Sequence, residues 1–299
     1  MAQSGLNRLR HSEAANGLLL VSPTAIYAIL LLAGPLLTIF AYSFFKDGYL
    51  TVIREFTVEN YLATWQDPIF RAILIRSLMV SGLVTLATVV LAFPVAYFLS
   101  FQVSPARKSL WLFLITIPFW TSYLIRVFLW KVILGYNGVI NSGLKSLGLM
   151  GDGRLIEDPL QMLNSVGAIT ATLAHAYAPF AILPIFVALE KIDRSLLEAG
   201  QDLGETKLRT FLRVTLPLAM PGVVAAVLIV FIPTIGDYVT PELIGGGKMP
   251  MVANMIQAQL LPLDNKPLGS AIAISAMAVV ALISVGFVFA NRRYLRGTR

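Results

Sequence analysis

Few side chains in this sequence are equipped for chemistry, and those few are not arranged for catalysis. The 299 residues include two histidines and no cysteine, so disulfides, thiol nucleophiles and Cys-based metal sites are excluded. No His-Glu-x-x-His, Gly-x-Ser-x-Gly or paired-carboxylate pattern occurs, and the sequence offers neither a catalytic residue nor a metal site. Gly245-Gly246-Gly247-Lys248 has the look of a phosphate loop. However, Met249 replaces the Ser or Thr after the lysine, and Glu242 stands where the first glycine belongs. What remains is a set of polar groups inside or beside long apolar runs: Arg126, Lys131, His175, Asp237 and Glu242, with Trp120, Tyr123 and Tyr238 close by. Ionisable groups at membrane depth are rare, and they face the protein interior or water.

The elements that must hold these groups are membrane spans. The chain is 57% hydrophobic and only 13% charged, with a mean hydropathy of +0.76, whereas soluble domains are about half apolar and about a quarter charged. Crossing ~30 Å of hydrocarbon takes about 20 apolar residues in a helix. Six runs reach that length: Leu18–Phe45, Ser77–Phe101, Leu110–Leu134, Ser165–Leu189, Pro217–Val239 and Leu268–Ala290. The fold class expected is therefore an all-α integral membrane protein with six transmembrane helices. The first run is too long for a signal-peptide core of ~7–15 residues and reads as a retained helix. The chain divides into an N-terminal arm (1–17), a first helix (18–45), a loop (46–76), a core (77–290) containing a charged loop (190–217), and a tail (291–299). Pro35, Pro94, Pro118, Pro179, Pro184, Pro221 and Pro233 are expected to interrupt the spans. Such breaks survive in lipid only where freed backbone groups find protein or a wet cavity.

Lysine and arginine set the orientation. Thirteen of the 23 basic residues lie in the arm, in the 2–3 and 4–5 loops and in the tail, against six in the opposite loops. The positive-inside rule puts both termini in the cytoplasm, and the net charge of +7 belongs to topology, so nucleic acid is not a partner. On this orientation Arg126 and Asp237 fall at similar depth in the outer halves of spans three and five. One reading is a structural Arg126–Asp237 ion pair that fixes helix register. Another makes Asp237, with Glu242, the counter-charge to a cationic solute, with Trp120, Tyr123 and Tyr238 offering aromatic faces to an ammonium. A third gives Arg126 an anionic solute. Trp111 and Trp130 read as interfacial belt anchors, and His175 as a hydrogen-bonded packing residue.

The loop between spans four and five is the most informative segment. Leu196, Leu197, Gly200, Leu203, Gly204 and Leu208 recur at helical spacing beside Glu198, Asp202, Glu205 and Lys207, which predicts a short amphipathic helix. Such a helix either lies on lipid headgroups or inserts into a partner's groove. Its residues resemble the loop of ATP-binding-cassette importer permeases: Glu-Ala-Ala, three residues, Gly, nine residues, Ile, one residue, Leu-Pro. Glu198, Ala199, Gly204, Leu216 and Pro217 stand at the matching positions, while Gly200 replaces the second Ala and Val214 the Ile. In that family the loop forms a coupling helix docked on the ATPase, which implies docking roles for Glu198, Ala199, Gly200, Asp202, Leu203, Gly204, Leu216 and Pro217.

Two further stretches, Pro118–Trp130 with Gly138–Asn141, and Ile232–Gly246, resemble the spermidine/putrescine importer group. That resemblance implies a permease subunit carrying a polyamine across a bacterial inner membrane by alternating access. Its partners would be a second permease, two cytoplasmic ATPase subunits, an extracytoplasmic solute-binding protein and membrane lipid. The chain itself would bind no cofactor, with ATP and Mg used by the ATPases. The rival expectations are the same machine with another solute, an ion-coupled secondary carrier, and a membrane-embedded enzyme. The carrier leaves the Glu198–Pro217 loop unexplained.

Overall fold

The structure, a computed structural model, describes residues 13–48 and 51–295; Arg8, Arg10, Arg296 and Arg299, used above to orient the chain, lie outside them. Two units emerge, residues 1–66 with 259–275, and residues 67–258 with 276–299.

In the first unit, α1 (Glu13–Tyr42) is a continuous helix whose most apolar window has no residue buried within the chain. The segment after it reads in sequence as a loop (46–76) with room for a short helix. It forms that helix, α2 (Glu59–Gln66), and also an antiparallel hairpin of β1 (Phe45–Asp47) and β2 (Val52–Phe56), with Lys46 opposite Ile53. The β-branched start of β2 and the Asp47-Gly48 turn account for the hairpin. Asn60 Nδ2 ties α2 back by donating to the Ser43 and Phe45 carbonyls at 3.0 and 2.8 Å, and the Phe44 ring stacks on Phe56 at 5.1 Å.

The second unit starts with α3 (Pro68–Phe101). It opens at Pro68 and not at Ser77, because Asp67 caps it by accepting from the Ile69 N–H at 2.8 Å and Pro68 occupies the first turn. Next come α4 (Pro105–Thr116), a 3₁₀ turn (Ile117–Trp120), α5 (Tyr123–Ile133) and α6 (Val139–Ser146). They are followed by α7 (Val166–Glu190), α8 (Arg194–Asp202), α9 (Lys207–Thr210) and a π turn (Phe211–Thr215). The chain continues through α10 (Leu216–Ile235), α11 (Val239–Leu243), α12 (Val252–Leu260), α13 (Lys266–Ala290) and α14 (Arg292–Leu295), with α12 and α13 passing between the units.

Among the described residues, five helices are long and apolar enough to cross a membrane. The sixth span is α4 with its 3₁₀ turn plus α5, bent by 87° where Thr121 and Ser122 adopt extended backbone. The run expected as one helix from Leu110 to Leu134 is thus two. Of the seven prolines expected to interrupt spans, only Pro118 marks a break. Pro35, Pro94, Pro179, Pro184, Pro221 and Pro233 all lie inside continuous helices. One proline removes a single backbone bond and kinks the helix. In lipid the remaining bonds have no competing water, so the helix carries on.

Helices α3, α7 and α10 pack pairwise into the core of the second unit, burying Val84, Leu99, Leu173, Ile185, Leu189 and Val230 among others. Gly222 lets α10 approach α7 closely: a Cβ there would lie 2.4 Å from the Pro184 carbonyl oxygen and 2.6 Å from Ala188 Cβ. Gly222→Ala is therefore expected to lower the thermal unfolding midpoint of the detergent-purified chain, at a cost of about 1–3 kcal/mol. Gly286→Ala on α13, where nothing lies within 4 Å, is expected to leave it unmoved.

Candidate functional site

Helix α8 is closed at both ends by its own sequence. Asp193 accepts from the Ser195 N–H at 3.0 Å at the N-terminus, and the Ser195 backbone and side-chain donors hold its carboxyl below the usual carboxylate range. At the C-terminus Gly204 has φ +80°. The Gly204 N–H donates to the Gln201 carbonyl at 2.9 Å and the Glu205 N–H to the Gly200 carbonyl at 3.1 Å. This paired closure needs a left-handed residue, which glycine supplies without strain. Gly200 has a local reason too. A Cβ there would sit 3.2 Å from Thr210 Cγ2 and 3.3 Å from its hydroxyl, so an alanine would crowd α9.

Beyond α9, the Leu216 N–H reaches back five residues to the Phe211 carbonyl. Pro217 has no N–H to give, and its ring crowds the carbonyl four residues back in a regular α-helix. The widened π turn just before it relieves that crowding.

The loop is bolted to α3 at two places. Arg194 Nη2 and Lys108 Nζ both donate to the Ser100 carbonyl, at 3.2 and 3.0 Å, satisfying an end-of-helix acceptor. Lys108 also pairs with Glu190 at 2.5 Å. The Phe211 ring meets Phe93 and Tyr97 edge-on at 5.5 and 5.9 Å. No residue of α8 is buried. Glu198, Ala199 and Asp202 are exposed, and Leu203 stands 85% exposed beside the exposed Leu196, Leu208 and Leu212. Gly204 is exposed as well, whereas Gly200, Leu216 and Pro217 are half-buried.

At the far end of α10 the path candidates separate. Asp237 is 7% exposed. Its Oδ2 accepts from the Tyr123 hydroxyl at 2.8 Å, and its Oδ1 from the Val239 and Thr240 N–H groups at 3.0 and 3.4 Å. Tyr123 has one proton and gives it to the carboxylate, so Thr240 Oγ1, 2.7 Å away, donates to the tyrosine. The carboxylate is solvated by donors, which is how a buried charge is tolerated.

Arg126 is not its partner: among the described residues the ion pairs lie elsewhere, which overturns the Arg126–Asp237 ion pair. Its guanidinium lies 5.2 Å from the Phe119 ring centroid and 6.0 Å from that of Tyr123, and Nε and Nη1 are buried without a hydrogen-bond partner. Trp120 is 76% exposed, with its ring edge-on to Phe113 at 5.6 Å. Tyr238 and Glu242 are exposed on the segment around α11. The structure thus joins Tyr123, Asp237 and Arg126 and leaves Trp120, Tyr238 and Glu242 outside the hydrogen-bonded cluster.

Thr240 and Phe119 were missed. Thr240 was legible as the third residue after a helix-capping Asp; Phe119 had no signal beyond its place next to Trp120. Trp130 is also more than a belt anchor, since its Nε1 donates to His175 Nδ1 at 3.1 Å.

Among the described residues, six apolar spans (the bent pair counted as one), a capped exposed helix between the fourth and fifth, and a polar cluster held within the helices have the architecture of a membrane transport subunit. The chain belongs to the family of binding-protein-dependent transport system inner membrane components, whose model matches residues 22–296. It is accordingly an inner-membrane transport component and not an enzyme.

The chain is 36% identical over 259 residues to the spermidine/putrescine transport system permease protein PotB of Haemophilus influenzae, covering 86% of this chain and 88% of that one. It is 32% identical over 280 residues to the inner membrane ABC transporter permease protein YdcU of Escherichia coli, covering 89% and 86%. A chain from the crystal structure of a bacterial alginate ABC transporter, in complex with an alginate pentasaccharide-bound periplasmic protein, superposes with a TM-score of 0.74 at 17% identity, covering 98% of this chain and 99% of that one.

Proposed function

We propose that this chain is one of two permease subunits of an ATP-driven importer and that its cargo is a polyamine. The observation that carries the first part is α8: a helix capped at both ends, with no buried residue and with Leu196 and its C-cap Leu203 exposed, on a loop whose Glu198, Ala199, Gly204, Leu216 and Pro217 stand at the spacing of ATPase-docking loops. ATP and Mg bind the partner ATPases. Their closure draws the two coupling helices together and opens the far side of the bundle to a solute-binding protein. Both termini and α8 face the cytoplasm, in keeping with the distribution of lysine and arginine.

The cargo reading is supported by the named transport activity of the PotB relative and by a buried carboxylate under an aromatic hydroxyl. An ammonium group entering the cluster displaces the Tyr123 hydroxyl from Asp237 and gains the charge that the hydroxyl now covers, while Trp120, Tyr238 and Glu242 guide the approach from the exposed side. Arg126 keeps the other end of the cluster positive, so the cation binds in one orientation. The fold alone selects no cargo, since the alginate importer shares it.

The test is uptake of labelled spermidine into vesicles reconstituted with both permeases, the ATPases and the binding protein. The expected result is ATP-dependent, vanadate-sensitive accumulation. Uptake driven by an ion gradient alone would overturn the machine. A binding protein encoded beside this chain that retains a different solute on purification would overturn the cargo.

A further inference from the structure

A groove of about 1000 Å³ lies between the end of α7, the start of α10 and α14, next to the first turn of α8. Its walls are apolar, with Pro184, Val187, Leu218 and Ala225 facing it, and its rim carries Lys191, Arg293 and Asp193. Neither cation has a carboxylate within ion-pair distance among the described residues. Arg293 is steadied at the rim by Tyr294, whose ring lies 4.6 Å from the guanidinium carbon and whose hydroxyl accepts from it at 2.5 Å. The one acid, Asp193, already accepts the Ser195 N–H at 3.0 Å. The groove therefore combines two cations without an ion-pair partner among the described residues with apolar walls, where apolar spans give way to charged sequence.

Those two halves call for one amphiphile. A free anion has no use for the apolar walls, and a neutral apolar solute has none for the cations. Basic pockets between helices at a leaflet edge take anionic headgroups. We propose that the groove binds an anionic phospholipid of the inner membrane, with its phosphate between Lys191 and Arg293 and an acyl chain along Val187 and Ala225. Because Asp193 and Leu196 of the docking loop also line the groove, a bound lipid fills the space between α10 and α8 and ties the coupling loop to the composition of the leaflet. The choice of leaflet rests on the orientation proposed above; the binding itself does not.

The experiment is native mass spectrometry of the assembled, purified transporter with added phosphatidylglycerol or phosphatidylethanolamine. Wild type is expected to retain phosphatidylglycerol preferentially. Lys191→Gln and Arg293→Gln are each expected to weaken retention roughly fivefold, from the attraction of one basic residue to an anionic surface. Val187→Phe, which keeps both charges and fills the groove, is expected to displace the lipid as well. Competition by soluble glycerol phosphate would show that a free phosphate is the ligand and overturn the lipid assignment. Equal retention by wild type and the double charge variant would also overturn the proposal. So would a photoreactive residue at 187 that crosslinks to the second permease instead of lipid. Wild-type ATP-driven uptake is measured separately, so failure here is distinguishable from failure of the importer reading.

Discussion

Leu203→Glu abolishes ATP-driven uptake and releases the ATPase subunits during purification, while the chain still inserts in normal amount. The expectation follows from where Leu203 stands. At 85% exposed it contributes almost nothing to the fold of the chain itself, so its replacement costs the isolated subunit little. In a complex, the same side chain is the apolar tip of a helix with no buried residue of its own, and a carboxylate driven into a partner's groove would be desolvated without a counter-charge. Burying an unpaired charge costs several kcal/mol, and 3 kcal/mol corresponds to roughly a hundredfold in affinity. The measurement is co-purification of the ATPases on a tagged permease, read beside membrane insertion. Retained ATPase with full uptake would remove α8 from the interface. Gly204→Arg is a weaker probe of the same idea, because φ +80° strains any side chain by about 1–2 kcal/mol and perturbs the helix end before docking is at issue.

Asp237→Asn raises the KM for polyamine uptake at least about tenfold and leaves assembly and basal ATPase activity in place. Asn keeps the cap on α11, because its side-chain oxygen can still accept the Val239 and Thr240 N–H groups. Its NH2 then stands in place of Oδ2 and donates to the Tyr123 hydroxyl, which turns its own proton to Thr240 Oγ1. The charge is lost and one hydrogen bond reverses, but no polar group is left unpaired. If the charge serves the cargo, transport suffers and stability does not; a tenfold change is about 1.4 kcal/mol of cation binding. Tyr123→Phe is the complementary change. It strips one donor from a buried carboxylate and is expected to lower thermal stability while freeing Asp237 for cations. Unchanged uptake in Asp237→Asn, with a lower unfolding midpoint, would make the cluster a structural tie between α5 and α11.

The spans were legible because lipid imposes a length, and five of the six runs appear as single helices, although α3 begins at Pro68, well before the expected Ser77. The sixth was misread for a physical reason: hydropathy is blind to direction. Leu110–Leu134 is long and mostly apolar, yet the chain turns at Thr121 and Ser122, where short polar side chains let the backbone extend after Pro118. The prolines misled in the opposite sense. They were weighed as breaks, but inside long helices one missing bond is a kink.

At the loop, spacing located Gly204, while its left-handed geometry explains why glycine is needed there. The polar cluster was half legible. Sequence placed Arg126 and Asp237 at similar depth, and opposite charge invited a pair. The carboxylate instead took donors from its own following turn and from Tyr123, while the Arg126 guanidinium lies against the Phe119 and Tyr123 rings.

The two fastenings of the loop to α3 have a mechanical consequence. Arg194 holds the last turn of α3 at Ser100, and Phe211 bears on its flank at Phe93 and Tyr97. Seven helical residues separate the extreme points, about 10 Å of rod. A load applied to one end of a rod can only push it; a load shared between two points that far apart also exerts a torque. Displacement of α8 and the π turn by different amounts would therefore tilt α3, and with it the opposite end of the bundle, where the Ser77 hydroxyl of the same helix accepts the Val252 N–H at 2.8 Å. The length of α3 becomes the gearing between a small movement at the loop and a larger one at the far mouth.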